Sequence, residues 1–156
     1  MKRLLLIFLC LILVISVFSF SLPIKQKAFA ENKACYDIKN SDTRGLFVTL
    51  SISLSGENGQ VSTIAKHDFS IFSSTVIVYL YLYCSDTYQE SYTNMTLVAS
   101  NYTSDLDFNE TLTASYSTNN QQKYWQGRMY YKIGNQSWQN IITGTFLYDG
   151  SGNCLN

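Results

Sequence analysis

The sequence predicts an all-β protein, an antiparallel β-sandwich of about seven strands with immunoglobulin-like or jelly-roll-like wiring, behind a cleaved signal peptide. Three observations predict it. The segment Thr75–Cys84, TVIVYLYLYC, alternates at a period of two. That period sorts Val76, Val78, Leu80, Leu82 and Cys84 onto one strand face and Ile77, Tyr79, Tyr81 and Tyr83 onto the other. Turn-forming residues recur at short spacing, led by the Asn58-Gly59 pair, the strongest short hairpin signal. Beyond residue 30, no stretch has the apolar spacing of an amphipathic helix of any length.

The chain opens with Lys2 and Arg3, an apolar run from Leu4 to Val17 that extends to Phe20, and the small-residue site Ala28-Phe29-Ala30. A basic start, an apolar middle and an A-x-A end are the three parts of a secretory signal peptide, so residues 1–30 are expected to be removed. The rival, an uncleaved anchor, needs about 20 apolar residues to span a bilayer. The run is marginal for that and leads directly into the cleavage motif. Removal takes away Lys2, Arg3, Lys25 and Lys27 and none of the acidic residues, so the balanced 11 basic and 11 acidic residues become a net charge of −4. An acidic mature chain argues against a basic nucleic-acid surface and electrostatic docking on anionic lipid. The membrane is then involved only through the leader, and the expected location is secreted, extracellular.

Three cysteines, Cys35, Cys84 and Cys154, remain after processing. Disulfides persist outside the cell, and an odd count leaves one thiol over. Cys84 ends the aliphatic face of the Thr75–Cys84 strand, where a free cysteine behaves as a small hydrophobe. The preferred pairing is therefore Cys35–Cys154, a clip between the two mature ends in polar surroundings, with the other two pairings left open. Closing a loop of that length stabilises a domain by about 4–5 kcal/mol in the chain-entropy treatment.

Residues 31–44 read as a polar leading segment and residues 45–156 as a single sandwich domain. Gly45–Ser55 points Leu46, Val48, Leu50, Ile52 and Leu54 one way and Phe47, Thr49, Ser51, Ser53 and Ser55 the other, a strand with one buried and one wet face. Gly56-Glu57-Asn58-Gly59 turns it into Val61–Lys66, and Phe69–Ser74 leads as a loop into the central strand. Tyr92–Ala99 reads as a weaker strand with Thr93, Met95, Leu97 and Ala99 inward. Asn101–Asp105 reads as a turn, and Leu106–Tyr116 as a strand that gathers Leu106, Phe108, Leu112, Ala114 and Tyr116, with Glu110 interrupting. Tyr124–Ile133 places Trp125, Gly127, Met129, Tyr131 and Ile133 together, and Trp138–Tyr148 follows a Gly134-Asn135 turn. Gly127 and Gly144 fall inside strands, where glycine marks a bulge or a close backbone approach.

Tyr79, Tyr81 and Tyr83 share one strand face at intervals of about 7 Å. Pairing with neighbouring strands is the ordinary role of such rings. A row of flat aromatic faces with hydroxyl handles can also stack on sugar rings or anchor a protein. With Tyr130 and Trp138, these are the candidate ligand-binding residues.

His67, the only histidine, reads as a solvated residue at a loop edge; Asp68 beside it would face away if the strand continued. Asp105, Asp107, Asn109 and Glu110 resemble the start of a calcium loop, but Glu110 stands where that loop needs glycine and Tyr116 where it needs glutamate. Asp86, Glu90, Asp105, Asp107 and Glu110 supply carboxylates without a spacing that defines a glycosidase pair. No CxxC, Cys/His cluster or G-x-S-x-G elbow occurs, so no metal, cofactor or enzymatic activity is expected. Asn94, Asn101, Asn109 and Asn135 each begin an Asn-x-Ser/Thr sequon.

The leader, TLSISLSGENGQVSTIA, the strand Val76–Leu82 and Gly127-Arg128-Met129-Tyr130-Tyr131 together resemble small secreted, strand-rich proteins of Gram-positive bacteria. That resemblance implies an exported β-sheet protein and brings no catalytic residues. The sequence thus reads as a secreted, non-catalytic binding module for carbohydrate or protein. The alternative is a secreted toxin or bacteriocin-like effector, because strands that alternate in this way also build membrane barrels.

Overall fold

The computed structural model describes residues 41–42, 48–70 and 74–155. The chain divides into two units, Met1–Glu31 and Asn32–Asn156, and the fold described is that of the second. The expected leader, most of the leading segment and Cys35 lie outside the described residues.

Two antiparallel sheets make up the fold, as the alternating strands and short turns predict. The first has strand order β1-β2-β3-β6, with β1 Ser41–Asp42, β2 Val48–Glu57, β3 Gln60–Ser70 and β6 Thr111–Ser117. The second runs β5-β4-β7-β8, with β4 Val76–Ser85, β5 Thr96–Thr103, β7 Lys123–Ile133 and β8 Gln139–Ile142; β9 Phe146–Tyr148 also pairs with β7. The described residues thus hold nine strands rather than about seven, the additions being the two-residue β1 in the leading segment and a split of the last expected strand.

The β2–β3 hairpin turns where Asn-Gly requires it. Asn58 and Gly59 take φ of +52° and +74°, both left-handed as a type I′ turn demands, and Glu57 stands opposite Gln60. The inner faces match the alternation. Val48, Leu50, Ile52 and Leu54 of β2, Val76, Val78, Leu80 and Leu82 of β4, and Trp125, Met129, Tyr131 and Ile133 of β7 are all buried. Fully burying one such aliphatic side chain is worth about 1.5–3 kcal/mol. They form two clusters, a larger one around Leu50, Leu80 and Met129 and a smaller one around Leu82, Trp125 and Tyr148. Gly127 marks a close approach between layers: a Cβ there would collide with the Thr63 hydroxyl and lie 3.1 Å from Thr63 Cβ.

Several expectations fail for local reasons. The strand expected over Trp138–Tyr148 breaks because the Thr143 hydroxyl accepts the Gly127 N–H at 2.9 Å, while the Thr143 N–H donates to the Gly127 carbonyl. The expected inner face of Tyr92–Ala99 holds at Ala99 and fails at Leu97. Tyr92–Asn94 form a 3₁₀ turn, and a register shift between Leu82 and Tyr83 leaves Val98 as an extra residue in β5. The bulge reverses parity, so Leu97 is 49% exposed while Val98 and Ala99 pack on the core. Asn101–Thr103, expected in a turn, continue β5. Leu106 and Phe108 are not strand neighbours, because Asn109 is left-handed (φ +64°) and β6 begins only at Thr111; Leu106 is buried and Phe108 exposed. Phe69 and Ser70 belong to β3 rather than to a loop.

Candidate functional site

Inward placement of the aliphatic residues of β4 and β7 fixes what points outward. On the outer face of the second sheet stand Tyr79 and Tyr81, with Tyr83 beyond them, on β4, and Arg128, Tyr130 and Lys132 on β7. The register lines them up across strands. Tyr79 is opposite Tyr102 of β5 on one side and Tyr130 on the other, so three tyrosines stand in one row over three strands. The Tyr79 and Tyr102 rings lie 4.5 Å apart. Trp138, one residue before β8, stacks on Tyr130 at 4.8 Å and 12°, and its centroid is 5.6 Å from Tyr79.

The next row is Ser100, Tyr81, Arg128 and Ile142. Arg128 lies over Tyr92 at 4.7 Å, Tyr130 at 5.5 Å and Tyr81 at 5.7 Å, all within cation–π range. Its Nε–H donates to Asn140 Oδ1 at 2.7 Å. Burial pushes the Tyr81 hydroxyl above its ordinary value of 10.0, and the Arg128 charge opposes that rise. Tyr92 is held in place by the 3₁₀ turn, where Ser91 Oγ accepts the Thr93 N–H.

Of the five expected ligand residues, Tyr79, Tyr81, Tyr130 and Trp138 are brought together on this face. Tyr83 shares the face but is buried, its ring 5.1 Å from that of Tyr92. Gln126 on the same row is likewise covered, its amide donating to the Thr143 carbonyl and the Thr145 hydroxyl, each at 3.2 Å. The free surface is therefore the row Tyr102–Tyr79–Tyr130 with Trp138, bordered by Arg128 and Asn140; Tyr102 is 49% and Trp138 39% exposed. Sequence reading missed Tyr102, Tyr92, Arg128 and Asn140. Alternation inside Ser100–Tyr102 signalled the first; the others depend on cross-strand register.

The remaining candidates lie elsewhere. His67, expected to be solvated at a loop edge, is instead buried inside β3, with Nδ1 2.8 Å from the Leu106 carbonyl, which places a proton on Nδ1. Its neighbour Asp68 does face away, accepting from Ser51 Oγ and pairing with Lys66 at 2.9 Å. Asp105 Oδ1 accepts the Val76 N–H at 3.0 Å, and Glu110 accepts the Asp107 N–H, so these carboxylates brace the loop over His67. Among the described residues no three His, Cys, Asp or Glu side chains gather as metal ligands. Cys84 is a free, buried thiol, its pKa pushed up by burial and opposed by the Lys123 charge. It lines a cleft of about 190 Å³ with Trp125, Tyr116 and Lys123, but Lys123 is committed to Asp86 at 3.0 Å. Such a thiol is poorly activated as a nucleophile. Cys154 is disulfide-bonded and buried rather than in polar surroundings.

The opposite outer face, on the first sheet, is mostly hydroxyls: Ser55, Ser62 and Ser115 form one row, and Ser53 and Thr113 flank Ile64 in the next. Compared with family models, curated proteins and solved structures, the chain matches none.

Proposed function

We propose that the chain is a secreted, non-catalytic carbohydrate-binding module, with the outer face of the second sheet as its ligand surface. The observation that carries this reading is the row Tyr102–Tyr79–Tyr130, extended by Trp138, which lies across three strands with its two ends exposed. Flat rings offer the apolar C–H faces of a pyranose a large contact area at low entropic cost. The tyrosine hydroxyls and Asn140 can exchange hydrogen bonds with the sugar hydroxyls. β4 is paired on both sides and buried beneath, so its rings are set on a rigid element rather than a loop. Nothing in this reading requires a bond to break. The remaining mature cysteine, Cys35, is the proposed partner of Cys154, since Cys84 is free. Non-reducing peptide mapping of the secreted protein tests that bridge.

The binding test is retention on polysaccharide supports and glycan arrays. Trp138→Ala should lower affinity for a retained glycan by at least about tenfold while the protein stays folded. Failure of every polysaccharide to retain the wild-type protein overturns the reading. Leakage of lipid vesicles together with oligomer formation would replace it with a membrane-acting effector.

A further inference from the structure

The charges on the described residues are divided unevenly between the sheets. Four of those residues are basic, and three of them, Lys123, Arg128 and Lys132, belong to β7 at the centre of the second sheet. Nine are acidic, and none lies on any of that sheet's five strands. Lys123 is taken by Asp86. Arg128 and Lys132 have no ion-pair partner among the described residues, in a protein whose mature form is expected to be acidic.

Arg128 is also held in a particular way. Tyr92, Tyr81 and Tyr130 lie against the guanidinium, and the Nε–H is directed to Asn140. That leaves the terminal N–H groups of a fork suited to bidentate recognition of a planar or tetrahedral anion. The fork sits one residue pair along the strands from the row Tyr79–Tyr130, so an anion held there would be beside a sugar ring on the Trp138 that covers Tyr130. Lys132, two residues beyond Tyr130 on the same face, adds a second positive charge on the far side of that row. A neutral polysaccharide offers no charge to pair with either cation, whereas an acidic one meets rings in the middle and a charge on both flanks.

We infer that the ligand is an acidic glycan, its carboxylate or phosphate bound by Arg128 while an adjacent sugar ring stacks on Trp138. This rests on the carbohydrate-binding reading and narrows it to a substrate class. The probes are three short oligomers on one sugar backbone: neutral, uronic-acid and phosphate-esterified. The wild-type protein should bind at least one acidic oligomer more tightly than the neutral one, and the preference should shrink as salt is raised. Whichever anion is preferred identifies the source of the charge. Arg128→Gln should weaken binding of that acidic oligomer by about ten- to hundredfold, well beyond any loss it causes for the neutral one. Arg128→Lys, which keeps the charge but loses the planar fork, should recover only part of the loss.

Equal binding of neutral and acidic oligomers by the wild-type protein overturns the inference and leaves the carbohydrate reading intact. If no oligomer binds, both fall. Because the salt dependence and the neutral-versus-acidic comparison use the wild-type chain, an Arg128 variant that fails to fold does not remove the test.

Discussion

The two outer faces of the sandwich use the same backbone plan and present different chemistry to solvent. Both sheets bury every second residue of their long strands. On the first sheet the alternate positions are Ser51, Ser53 and Ser55 on β2, Ser62, Ile64 and Lys66 on β3, and Thr111, Thr113 and Ser115 on β6; the Ser62 and Ser115 hydroxyls meet at 2.7 Å. On the second they are Tyr79, Tyr81, Arg128, Tyr130 and Tyr102, with Trp138 laid over the row. Small hydroxyls exchange hydrogen bonds with water at little net gain. Each aromatic pair adds about 0.5–1.5 kcal/mol beyond its buried area. The first sheet carries an exposed ring at Phe69, opposite Thr49, but no row of rings, so this fold can be assembled without a continuous aromatic face. A continuous aromatic row on the other side therefore calls for an explanation beyond folding, and ligand binding supplies one.

The comparison is sharpened most by Tyr79, which sits in the middle of the row and touches both Tyr102 and Trp138. Tyr79→Ala should lower unfolding free energy by about 1–3 kcal/mol, the sum of two lost ring contacts, in urea denaturation. A change below about 0.5 kcal/mol would mean that the rings rest on the sheet without supporting it. That result would make the two faces energetically alike.

How far this arrangement could be read from the sequence depended on parity and register. Alternation in β2, β4 and β7 identified each inward side chain correctly, because a strand with one buried face writes its period into the sequence. Asn58-Gly59 fixed the first hairpin for a reason equally local. Bulges are different. Val98 flips the face of β5 with no residue type that announces it, and the same shift carries Tyr102 into line with Tyr79. His67 looked solvated because the loop that buries it, with Leu106 offering its carbonyl, comes 39 residues later. Tyr79, Tyr81, Tyr130 and Trp138 were identifiable as aromatic residues on plausible strands, but Arg128 became part of the site only once β7 was paired with β4.

The matching experiment on the hydroxyl face should give a smaller effect. Ser62→Ala removes one exposed hydroxyl pair with Ser115, and stability in urea should stay within about 0.5 kcal/mol of wild type. Glycan retention should also be unchanged, since Ser62 lies on the sheet facing away from the rings. A loss of retention comparable with that from Trp138→Ala would place ligand contacts on both faces and break the comparison.

Alkaline titration should separate the faces by the smallest margin. The outer rows of the first sheet contain no tyrosine, whereas Tyr81 on the second has a hydroxyl pKa raised above 10.0, chiefly by burial. A raised folded-state value means that the native protein holds this proton more tightly than the unfolded chain does. The resulting stability is fully present below the unfolded value and is lost as pH rises through the folded one. Thermal unfolding of wild type and Tyr81→Phe should therefore run parallel up to about pH 10 and diverge above it, with the variant losing less. Other titrating groups are common to both proteins, so the difference between the two curves belongs to position 81. Parallel curves through the whole alkaline range would show that the Tyr81 hydroxyl is solvated as freely as the serines opposite, and that the rings around Arg128 do not exclude water.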